Sequence, residues 1–135
     1  MNRTLKTISL IFTAGCFGGL AKGLAAWLGG AIGINALLGS KFAPPLTPEW
    51  IYIHVVWGGI WALLFLLPIR GWSAYSLGIL YSLPQTLIAL LVMFPKMGRG
   101  LWGWQLGYST PFLILCFGFV WGLATAYWWK HAREA

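Results

Sequence analysis

Acidic side chains are nearly missing from this 135-residue chain: Glu49 and Glu134 are its only carboxylates, against nine lysines and arginines. Charged residues of either sign make up 8% of the sequence, too few to give a soluble domain of this size a solvated surface. Hydrophobic residues reach 59% and the mean hydropathy is +0.77, so a bilayer is the solvent that fits the composition. The shortage of carboxylates also removes the group on which proton- and sodium-coupled exporters usually depend. Cysteine is scarce as well. Cys16 and Cys116 stand singly inside apolar runs, with no CxxC and no Cys/His cluster, and read as small packed hydrophobes. No Ser/His/Asp set, HExxH or Gly-rich phosphate loop occurs, which leaves an enzyme only Lys22, His54 and tyrosines. A non-catalytic role without a metal is the expectation. The net charge of +7 comes from scattered basic residues rather than a patch, which speaks against nucleic acid as a partner.

What the chain has in quantity is long apolar sequence. Four runs cover residues 7–30, 50–67, 72–94 and 112–129, framed by Pro48, Pro68, Pro95 and Pro111. Each approaches the ~20 residues that cross a hydrocarbon core. The period-2 alternation of a barrel is absent. The fold expected is therefore all-α, an integral four-helix membrane bundle forming one domain over residues 1–135. Trp50, Trp72, Trp102, Trp104, Trp128 and Trp129 lie near run ends, as an interfacial belt requires, whereas Trp57, Trp61 and Trp121 lie within runs. The opening "MNRTLKTISLIFTAGCFGGLA" imitates a secretory signal, but its apolar run continues well past Ala21 and reads as a retained membrane helix. Arg3, Lys6, Arg70, Lys130 and Arg133 flank one side of the runs, and Lys41, Lys96 and Arg99 the other. This asymmetry points to both termini in the cytoplasm. The two long connections are Gly/Pro-rich yet apolar, so they are expected to lie in the interface or to fold back onto the protein.

A faint repeat runs through the chain. The long connections end in "LTP" and "STP", and the helix after each contains "VWG". The interval from Lys22 to Thr47 equals the interval from Gln85 to Thr110. Two parallel helix hairpins would produce this pattern, as would chance recurrence in a Trp- and Gly-rich chain.

Three places could carry chemistry. At 100° per residue, Gly15, Gly18, Gly19, Lys22, Gly23, Ala26 and Gly30 share one helix face. Gly15, Gly19 and Gly23 form a doubled small-xxx-small pattern that admits a neighbouring helix. Lys22 then either lays its stem over the glycines and snorkels, or meets a carboxylate, a phosphate or helix-end carbonyls. In the second helix, Trp50, His54, Trp57 and Trp61 form a stripe beside Gly58 and Gly59. Such a histidine is either bonded to a carbonyl, one turn away or on the next helix, or an axial ligand for haem or chlorophyll. In the third helix, Ala74, Gly78, Tyr81, Ser82, Gln85 and Ala89 share a face, with Pro84 loosening the backbone beside Gln85. Gln85 either packs against a freed carbonyl or lines a polar cavity with Lys22.

The segments "GGLAKGLAAWLGG", "LTPEW" and "VWGGIWALLFLLP" give the chain a resemblance to small four-helix bacterial inner-membrane proteins, one that assigns no residue a role. Its length and helix count are similar to those of the small multidrug exporters. Those depend on a first-helix glutamate, however, and Lys22 stands in that helix here. The reading favoured by sequence is a non-catalytic membrane protein packing through its glycine face, as a self-associating protein or an accessory subunit of a larger complex. The alternatives are an oligomeric small-anion channel or transporter using Lys22 and Gln85, and a haem or chlorophyll carrier using His54. Lipid and other membrane helices are the partners implied.

Overall fold

A computed structural model describes residues 2–67, 69 and 71–134, without the side chains of residues 133 and 134. Pro68, Arg70 and the side chains of Arg133 and Glu134 thus lie outside the described residues. All regular structure among the described residues is helical. Four helices are long and apolar enough to cross a membrane: α1 (Arg3–Ala31), α2 (Pro48–Leu66), α3 (Ala74–Lys96) and α4 (Thr110–Glu134).

The helices begin where their caps and prolines place them. The Asn2 side chain accepts from the Thr4 amide at 2.7 Å, and α1 starts about one turn before its apolar run. Thr47 accepts from the Trp50 amide at 3.1 Å, and Ser73 from the Ser76 amide at 3.1 Å. Pro48 and Pro111 belong to the first turns of α2 and α4, where a missing N–H costs nothing. Pro95 does not end α3, which runs on to Lys96. The turn over Ala89–Met93 widens to a π-helix, and this relieves the clash a proline makes with the preceding turn. α2 narrows to a 3-10 turn over Leu63–Leu66 before the chain reverses.

The spatial order is α2–α1–α4–α3. Helix α1 packs against both α2 and α4, and α3 packs on α4, while α2 and α3 share little contact despite their short connection. The two hairpins cross at matching residues. A Cβ on Gly15 would strike the Gly58 carbonyl, and Gly78 and Gly122 block each other in the same way. Gly15 stands as far before Thr47 as Gly78 stands before Thr110, so the sequence repeat coincides with a repeated helix crossing.

Two apolar clusters close the bundle at its ends. At the end carrying the termini, Ile11, Ala62, Tyr81 and Trp121 are buried together, with Trp61 and Phe65 packed against them. At the connector end, Ala26, Phe42, Leu90, Phe94 and Ile114 form the second cluster, with Trp50 and Phe117 beside them. The connectors fold back and are knitted to each other. Ser40 Oγ and Thr110 Oγ1, both buried, lie 2.7 Å apart, and the Lys41 amide donates to the Leu106 carbonyl at 2.6 Å. Asn35 is buried and donates to the Phe42 carbonyl at 2.8 Å, which holds Phe42 over the core.

Candidate polar layer within the bundle

The glycine face of α1 serves two neighbours inside the chain. Gly15, Gly19 and Gly23 meet α2, at Gly58, the His54 backbone and the His54 ring respectively. Gly18 meets α4, at Trp121 and Thr125. Backbones approach this closely because no Cβ intervenes. The face that sequence assigned to packing is therefore covered by the protein's own helices.

Lys22 follows Gly18 by one turn and lies on the face between Gly18 and Gly19. It consequently projects between α4 and α2, toward the bundle interior. Gln85 is placed the same way from the opposite side. One turn earlier, Tyr81 turns toward the end of α2, donating to the Leu67 carbonyl at 3.3 Å. Its neighbour Ser82 faces Gly118 of α4. Gln85 projects between them and is buried, at 7% exposure. Depth follows from the antiparallel register. Gly18 is level with residues 121–125 and Gly118 with residues 82–86, which brings Lys22, Gly118 and Gln85 to one level. His54 joins them through its contact with Gly23, the residue after Lys22.

Polar groups of the layer stand without partners among the described residues. The Gln85 amide nitrogen is buried and has no hydrogen-bond partner among the described residues, and the hydroxyl of the adjoining Thr86 is likewise unpaired there. Gln85 therefore does not tie down a carbonyl freed by Pro84. Ser82 satisfies itself on the Ile79 carbonyl at 2.7 Å. Lys22 is half-buried and makes no hydrogen bond to a described residue. The carboxylate nearest in sequence, Glu49, sits exposed in the first turn of α2 at the connector end. An ammonium and an amide N–H₂ offer about five donors between them, and a carboxylate or phosphate supplies the matching acceptors.

His54 and Trp57 are placed differently from that pair. His54 Nδ1 lies 2.8 Å from the Trp50 carbonyl one turn earlier, and the two rings lie tilted against each other with centroids 3.9 Å apart. Gly58 and Gly59 are covered by Gly15, Gly19, Phe12 and Cys16 of α1, so they leave no room for a macrocycle beside His54. Trp57 is 54% exposed on the side of α2 away from α1. Among the described residues, no three His, Cys, Asp or Glu side chains gather. Two surface hollows at the end carrying the termini do not involve Lys22; the larger, about 310 Å³, is lined by Arg3, Lys6, Thr7, Leu10, Trp129 and Ala132.

Thr86 was not legible as part of a site. Its only signal is position, since it adjoins Gln85. Threonines at such places in a membrane helix more often bond their own backbone. No protein-family model, curated protein or solved structure matches the chain.

Proposed function

We propose that this is a non-catalytic, multi-pass protein of a bacterial inner membrane that holds an anionic group at Lys22 and Gln85. One observation carries the reading: at the level of Lys22, the buried Gln85 amide nitrogen has no acceptor among the described residues, and no described carboxylate neutralises the ammonium. A buried donor left unsatisfied costs about 1–3 kcal/mol, and an anion between the two side chains removes that cost. Binding is favoured over conduction because an aromatic cluster closes the bundle at each end. The glycine faces are occupied within the chain, so this reading needs no second copy.

The test is thermal unfolding of the purified protein in mild detergent with phosphate, acetate or oleate. A ligand at about 100 times its dissociation constant stabilises the folded state by about 2.7 kcal/mol, a rise of several degrees. At least one anion is expected to give that rise in wild type and none in Lys22→Met. Equal responses of both proteins to every anion would refute the assignment.

The termini are assigned to the cytoplasm and the connectors to the opposite side. The structure's division of the loops supports this, with Lys41, Lys96 and Arg99 all at the connector end. Alkaline phosphatase inserted after the exposed Gly98 is expected to be active, and a fluorescent protein on the C-terminus to fluoresce. The reverse pattern would invert the topology.

A further inference from the structure

One pair of repeat-related positions differs greatly in side-chain size. Gly18 and Tyr81 occupy equivalent positions, at equal intervals before Thr47 and Thr110. At Gly18 the missing side chain lets α4 come against α1, where a Cβ would lie 2.8 Å from the Trp121 carbonyl. Tyr81 cannot be accommodated in that way. Its ring meets Phe65 edge-on at 5.1 Å, and its hydroxyl reaches the Leu67 carbonyl, beyond the end of α2. α2 and α3 are thereby pinned at their turn and left apart above it. The tryptophans of the two "VWG" words record the difference. Trp121 is wholly buried, whereas Trp57 is 54% exposed.

The α2 stripe shows where the gap lies. Trp61 packs on the cluster at the end with the termini and Trp50 on the cluster at the connector end. Between them, His54 is half-buried and Trp57 is exposed. On α3, Tyr81 and Phe94 belong to the same two clusters, and Gln85 lies between them. The gap is thus closed above and below and faces the hydrocarbon at the level of Lys22.

We infer that this gap is a lateral entrance for an amphiphile, whose carboxylate or phosphate head reaches Lys22 and Gln85 while its tail stays in the bilayer. The inference rests on the proposed anion site and adds the class of ligand. A small free anion would have to leave water and cross hydrocarbon to arrive there, at a cost of several kcal/mol. A head group borne on a lipid chain is already in that solvent, and its tail extends past Trp57 without leaving lipid. Lys22 supplies the charge, and the Gln85 amide donates to a second oxygen of the head.

The experiment uses the full chain in phosphatidylcholine nanodiscs, with oleate or dioleoylphosphatidic acid carrying a photoreactive diazirine in the tail. Crosslinks are expected on α2 and α3 bordering the gap, and to be competed by unlabelled amphiphile but not by acetate or inorganic phosphate. Oleate and phosphatidic acid compared side by side distinguish a fatty acid from a phospholipid as the source of the head. Labelling is expected to fall about tenfold or more in Lys22→Met, a loss of about 1.4 kcal/mol in binding, to fall also in Gln85→Leu, and to persist in Lys22→Arg. Crosslinks spread evenly over all four helices, and equal in Lys22→Met, would overturn the lateral entrance. If they are so spread while acetate or phosphate still stabilises wild type alone, the entrance fails and the anion site stands. If no anion of either kind senses Lys22, both fail.

Discussion

Leucine in place of Gly58 is expected to prevent assembly of the bundle. Even the first carbon of a side chain there would lie 2.5 Å from the Gly15 carbonyl oxygen and 2.8 Å from the Gly19 Cα. Both obstacles are backbone of α1, so no rotamer change relieves them, and the helices must separate. Separation dismantles the hairpin against which Trp121 and the core pack. Overpacking in an adaptable core costs about 1–3 kcal/mol, and a collision of two backbones is expected to exceed that range. Gly23→Ala, on the same face of α1, is the control. Its Cβ would find His54 at 3.4 Å and Ile51 at 3.5 Å, close to ordinary contact, so little stability should be lost. Gel filtration in mild detergent and unfolding in a denaturing detergent check the pair. Similar losses for the two variants would mean that the crossing is not where the structure puts it.

Removal of the Trp121 side chain is expected to have the next largest effect. It is completely buried, and its indole N–H donates to the Gly58 carbonyl at 3.2 Å, which links α4 to α2 across α1. In a bilayer the gain from burying an indole is packing rather than escape from water, so the cost of Trp121→Ala is chiefly that of the cavity. At ~24 cal/mol per Å³ of unfilled volume, the loss is on the order of 3 kcal/mol. Trp121→Phe keeps much of the volume and forfeits the hydrogen bond, for about 1 kcal/mol or less. Trp57→Ala, at the repeat-related position, exchanges a lipid-facing surface and should leave the unfolding midpoint nearly unchanged. Equal destabilisation by Trp57→Ala and Trp121→Ala would contradict the asymmetry between the two hairpins.

The contrast between those tryptophans marks how far the sequence could be read. Both stand in a "VWG" word, and nothing local says which is buried. The difference comes from Gly18 and Tyr81, a pair of repeat-related positions of very different size, and acts through a contact between hairpins. The four helices were legible because a bilayer demands unbroken apolar length and leaves little choice. Their order was not, since in lipid a helix needs no polar outer face and its periodicity weakens. The glycine face of α1 was visible, but not its division between α2 at Gly15, Gly19 and Gly23 and α4 at Gly18. Pro95 read as a stop because a proline normally breaks a helix, whereas a π-turn just before it absorbs the ring. The equal spacing of Lys22 and Gln85 from Thr47 and Thr110 was visible in the sequence. That they share one level and face one interior needed the register through Gly18 and Gly118.

The most direct test of the central claim is native mass spectrometry of the protein purified from membranes in mild detergent, wild type beside Lys22→Met and Lys22→Arg. An anionic adduct is predicted to remain on wild type and on Lys22→Arg at activation energies that strip it from Lys22→Met. Spectra that are the same for all three proteins would contradict the assignment of Lys22 and Gln85 as an anion site.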